Sequence, residues 1–72
     1  MAISYIKLWK LLLDKHMKKT DLITAADIST TTLAKLSKNQ IVSMEVMQRI
    51  CKALSCDIGD VMEMINDESN NY

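Results

Sequence analysis

Apolar positions recur at three- and four-residue steps through most of the chain, the period of an amphipathic helix rather than of a strand. Ile6, Trp9, Leu13 and Met17 form the first such series, and Tyr5, Leu8 and Leu12 widen its stripe. Ser4 precedes the series as an N-cap, because its hydroxyl can take up a free amide of the first turn. The stripe is broader than one face of a small core needs, which leaves Tyr5 and Trp9 open to either the core or a partner surface. A short second helix is predicted over about Lys19–Ala26, with Leu22, Ile23 and Ala26 inward. It stops at Asp27, one of the few non-glycine residue types that tolerate the left-handed conformation of a tight helical turn.

Three β-branched residues, Thr30, Thr31 and Thr32, follow in a row and taken alone favour a strand. Their neighbours decide otherwise. Ser29 is a good N-cap, Ile28 before it and Leu33 after it form a hydrophobic staple, and Leu36 continues inward. β-branching in the first turn costs only tenths of a kcal/mol, less than a cap and staple contribute. A third helix is therefore predicted over about 30–38, with Thr30, Thr31, Ala34, Lys35 and Lys38 outward. A fourth begins at the Ser43 cap and buries Val46, Met47, Ile50 and Leu54. A fifth is expected from Asp57, with Asp60 completing an acidic capping box and Ile58, Val61, Met62 and Ile65 inward. Residues 1–66 then form one domain, and 67–72 read as a flexible tail.

Composition supports an all-α class. The 72 residues contain no proline, no phenylalanine and one glycine, so the turn chemistry of a small β-barrel or sandwich is missing. A chain of this size buries about 60% of its unfolded surface, enough for a marginally stable domain that gains from pairing with a second copy. Cys51 and Cys56, with His16 distant, do not make the four-ligand set of a metal site and read as small buried thiols of a reduced, cytoplasmic protein. No apolar run approaches a membrane span.

Formal net charge is zero, yet it is unevenly laid out. All nine Lys and Arg residues lie within 1–52 against four acids, whereas the last twenty residues hold five acids and no base. Such a split can present one basic face and one acidic end.

Two short helices joined by a tight turn, the second opening with small polar residues, describe a helix-turn-helix, whose second helix enters the major groove of DNA. Small hydroxyls at its tip allow close approach and can bond to base edges or touch a thymine methyl. The order and spacing of "KKTDL", "ISTTTLAKL" and "SMEVMQRICKALSCDIGDVM" resemble the Cro/repressor-type (XRE-like) helix-turn-helix family over nearly the whole chain. The resemblance implies a compact five-helix, lambda-repressor-like domain that binds double-stranded DNA and regulates transcription, often as a homodimer. It implies base reading by Thr30, Thr31 and Lys35, and backbone contacts by Lys18, Lys19, Thr32, Lys38, Asn39, Gln40 and Ser43. Two positions depart from the family pattern: Asp27 stands where glycine is usual in the turn, and Ile23 where a small residue is usual.

Rival readings are weaker. A helical protein-interaction module acting on another regulator would fit the zero net charge, Asp27 and the apolar first helix. An enzyme would need more than one histidine set among lysines, with no nucleophile spaced against it and no glycine-rich phosphate loop. No cofactor and no small-molecule substrate are expected, and Lys7, Lys10 and Lys15 make a thin basic face for membrane attachment.

Overall fold

The computed structural model describes residues 2–65. Along them run a strand β1 (Ala2–Ser4), four helices α1 (Ile6–Asp14), α2 (Lys19–Ala26), α3 (Thr30–Ser37) and α4 (Met44–Leu54), a 3₁₀ turn (Ile58–Asp60) and a strand β2 (Glu63–Ile65). The expected tail at 67–72 lies outside the described residues.

Each helix must satisfy its last carbonyls, and a chain with one glycine has to do so with other residues. It uses His16, Asp27, Asn39 and Ser55, all left-handed with φ between 53° and 58°. Behind each, the next amide reaches back to close a Schellman motif: Met17 to the Leu12 carbonyl at 2.8 Å, Ile28 to Ile23 at 3.1 Å, Gln40 to Lys35 at 2.9 Å and Cys56 to Cys51 at 3.0 Å. The paired side chains of such a motif commonly seal the helix end against the core. Leu12 with Met17, Ile23 with Ile28 and Cys51 with Cys56 do so, all buried or half-buried in or against the core. The fourth pair, Lys35 and Gln40, is exposed.

Burial pushes the thiols of Cys51 and Cys56 above their ordinary value. They are part of a helix seal, which accounts for two cysteines at that spacing. Among the described residues no group of three or more His, Cys, Asp or Glu is set to hold a metal ion. No described helix is long and apolar enough to cross a membrane.

The helices α2, α3 and α4 follow the sequence expectation closely because their limits are set by local chemistry. Ser29 accepts from the Thr32 amide at 3.1 Å and Ser43 from the Val46 amide at 3.2 Å. Leu22, Ala26, Ile28, Leu36, Met47, Ile50 and Leu54 enter the core.

The first helix differs from expectation in its face. Tyr5, Leu8 and Leu12 are buried, whereas Ile6 is 54% and Leu13 is 74% exposed, so the stripe Ile6–Trp9–Leu13–Met17 is not the core face. Apolar residues on both sides of this helix make the two stripes equivalent by period alone. Ser4 lies in β1, 2% exposed, one residue before the cap position Tyr5, and its Oγ accepts from the Ile6 amide at 3.3 Å.

The expected fifth helix is corrected, and with it the count of five: the all-α class holds, with four α-helices and one small two-stranded sheet among the described residues. Asp57 does cap its segment, accepting from the Ile58 amide at 2.7 Å, while Asp60 accepts from the Asp57 amide at 3.0 Å. After one 3₁₀ turn the chain becomes extended and pairs antiparallel with β1, Ala2 opposite Ile65, Ile3 opposite Met64 and Ser4 opposite Glu63. Gly59 lowers helix propensity at the centre of the turn, a single turn is an unfavourable nucleus, and β1 offers backbone partners that a helix would leave unused. Val61 is fully buried as expected, but Ile65 is 40% exposed. Lys7 ties α1 to this segment, donating to the Gly59 carbonyl at 3.2 Å and lying 3.9 Å from Glu63.

Candidate nucleic-acid interface

The α2–α3 unit is built around the turn 27–29. Asp27 takes the left-handed position, its amide reaching the Ile23 carbonyl, and Ile28 is buried at the centre of the turn. Arg49 of α4 donates to the Asp27 carbonyl at 3.0 Å and pairs with Glu45 one turn back at 2.9 Å. The turn is thus held from behind by the helix on which α2 packs. Ile23, the bulkier departure from the family pattern, is accommodated as the half-buried partner of Ile28 in the α2 seal.

The staple and the Ser29 cap start α3 at Thr30, as the sequence predicts. Thr30, Thr31, Lys35 and Lys38 are all exposed. Thr31, Lys35 and Lys38 stand at four- and three-residue steps, which stacks them along one helix face. Thr32 is half-buried, and its Oγ1 accepts from the Ser29 hydroxyl at 3.0 Å, leaving its own hydroxyl proton free to donate. Lys18 and Lys19 are exposed at the start of α2, where Asp21 accepts from the Lys18 amide at 2.9 Å. The Lys19 ammonium lies 4.2 Å from the centroid of the Trp9 ring.

The loop after α3 is more constrained than its sequence suggests. Asn39, left-handed and exposed, accepts through Oδ1 from the Tyr5 amide at 3.2 Å. The Tyr5 hydroxyl in turn donates to the Gln40 carbonyl at 2.8 Å. Burial pushes the Tyr5 phenol above its ordinary value, with backbone hydrogen bonding at Val42 pulling the other way, so the donor stays protonated at neutral pH. Asn39 thus has its side-chain oxygen engaged by the protein and its amide nitrogen open to an external partner, while the Gln40 side chain is exposed. Ser43 caps α4 and retains its hydroxyl proton.

Sequence reasoning missed two supports, Tyr5 and Arg49. The only hint of the second was the four-residue spacing of Glu45 and Arg49. The first carried no local signal, since its partners stand 34 and 35 residues away. Two large apolar side chains beside this loop, Ile41 at 76% and Met44 at 65%, are exposed.

Comparison with known proteins fits this geometry. A family model described as a Cro/C1-type HTH DNA-binding domain matches residues 7–67. Among solved structures, the chain is similar to the transcriptional regulator VanUg, with 52% identity and a TM-score of 0.83 over 86% of this chain and 83% of that one. No curated protein matches the chain.

Proposed function

The chain belongs to the Cro/C1-type helix-turn-helix DNA-binding domain family, and from that premise we propose that it is a sequence-specific, repressor-like regulator that reads double-stranded DNA with α3. The observation that carries this reading is the first turn of α3, capped at Ser29, with Ile28 buried and Leu33 packed against the core, Thr30 and Thr31 exposed and Lys35 one turn further on. Placed in the major groove, Thr30 and Thr31 meet base edges or a thymine methyl, and Lys35 reaches a guanine edge. Lys18 and Lys19 meet phosphates on one side, and Thr32, Lys38, Asn39, Gln40 and Ser43 on the other. These contacts fix register without carrying sequence information.

With so few cationic contacts and no net charge, one copy binds weakly and with a strong salt dependence. A homodimer on two half-sites about one helical turn apart supplies the missing affinity. The protein works in the cytoplasm, without a cofactor and without catalysis, by occupying a promoter.

Selection from a random double-stranded DNA library at about physiological salt tests this. An enriched inverted repeat with half-site centres about 10 bp apart supports the dimeric reader. No enrichment, with weak binding that disappears as salt rises, overturns it in favour of a protein-interaction module.

A further inference from the structure

Trp9 is the only tryptophan of the chain, and the core does not account for all of it. The side chain is half-buried, packed against the core on one side. Its ring carries the Lys19 ammonium 4.2 Å from the centroid, inside the range of a cation–π contact.

Lys19 is the first residue of α2. A cation there faces the positive end of the helix macrodipole, which repels it. Asp21, the acid of that first turn, is occupied by the Lys18 amide. Left to itself, a long lysine side chain at this position would range widely, and binding would have to order it. The indole changes this without cancelling the charge. A carboxylate partner would neutralise the ammonium and compete with any arriving phosphate. A π face attracts the ammonium through its quadrupole and takes up none of its N–H donors in hydrogen bonds to an acceptor, so those on the open side still point outward.

We infer that Trp9 is a positioning residue for DNA backbone binding, its indole face holding the Lys19 ammonium, still charged and still able to donate, where a phosphate docks. This rests on the reading of Lys19 as a backbone contact given above. Trp9 itself need not touch DNA; it sets in advance the geometry that Lys19 would otherwise have to find on binding.

A double-mutant cycle on the full chain, titrated against a fluorescent mixed-sequence duplex of about 25 bp, tests the inference, because a backbone contact needs no operator. Lys19→Ala is expected to weaken binding and to lower the slope of log K against log salt by about one phosphate contact. Trp9→Leu is expected to weaken binding about two- to tenfold when Lys19 is present, and to have little further effect in the Lys19→Ala background. Trp9→Phe, which keeps a π face, is expected to restore most of the affinity. An equal weakening by Trp9→Leu in both backgrounds, or none in either, overturns the inference while leaving Lys19 as a contact. A neutral Lys19→Ala overturns the reading of Lys19 itself. If Trp9→Leu does not fold, nuclear magnetic resonance of the unmodified protein decides. Ring-current upfield shifts of the Lys19 Hε protons that persist on adding the duplex support the inference, and their absence or disappearance overturns it.

Discussion

The amide of Tyr5 and the side-chain oxygen of Asn39, separated by 34 residues, meet at 3.2 Å, and the Tyr5 hydroxyl then binds the next carbonyl, that of Gln40, at 2.8 Å. One buried residue at the start of α1 thereby fixes the loop that leaves the proposed reading helix. Tyr5→Phe keeps the ring and removes the hydroxyl bond alone. It is expected to cost about 0.5–1.5 kcal/mol of stability in urea unfolding and to weaken DNA binding through loosening of residues 39–43. Unchanged affinity would show that the loop makes no contact.

Asp27 holds a left-handed backbone, which strains any residue with a Cβ, and places a carboxylate at the turn of the helix pair. Asp27→Gly relieves the strain at some cost in unfolded-chain entropy, for a net gain of up to about 1 kcal/mol. Removing a negative charge beside a polyanion should also tighten binding. Thermal melts and duplex titrations at two salt concentrations check both halves. Arg49, which binds the Asp27 carbonyl rather than its side chain, keeps its partner in this variant.

The α3 residues separate by substitution. Thr31→Ala and Lys35→Ala are expected to relax preference at one or two positions of the selected site, each base-specific hydrogen bond removed costing about 1–3 kcal/mol of discrimination. Lys38→Ala is expected to weaken selected and mixed sequences alike and to lower the salt slope. Identical behaviour of all three would mean that the reading residues lie elsewhere.

Alkaline pH should destabilise the fold. The thiols of Cys51 and Cys56 are pushed by burial above an ordinary value of 9.0, and the Tyr5 phenol above 10.0. A group whose pKa is raised by folding stabilises the native state fully below its unfolded value and loses that contribution as pH rises past it. Melting temperature is thus expected to fall from about pH 9 upward. Replacing both cysteines with alanine should make that fall smaller without abolishing it.

What could be read from the sequence divides by distance along the chain. The limits of α2, α3 and α4 were legible because Asp27, through its left-handed backbone, and Ser29 and Ser43, through their hydroxyls, act within a few residues. The exposure of Thr30, Thr31, Lys35 and Lys38 followed from the same local register. The inward face of α1 was not legible, because Ile6 and Leu13 repeat with the same period as Tyr5, Leu8 and Leu12. The end of the domain was obscured for a different reason. Asp57 and Asp60 do make a capping box, but residues 63–65 pair with 2–4, and no local pattern encodes a partner some 60 positions away. Lys19 is legible as a cation at the start of α2, yet its seat on Trp9 is a tertiary relation between two helices.

Three of the four helix ends are closed by side chains turned to the core, and the fourth, at Lys35 and Gln40, is not. Helix α3 is left with Leu36 as its one fully buried anchor among the described residues. Its final turn therefore relies for closure on the two bonds from Tyr5 to Asn39 and Gln40, and its backbone amides should exchange by local opening rather than by unfolding of the whole domain. A groove filled with bases and phosphates would add, on the outside, to the closure that Tyr5 supplies from within. On the proposed reading, ordering of this turn and binding of DNA are coupled, and slowed exchange at residues 36–40 on adding DNA would be the record of it.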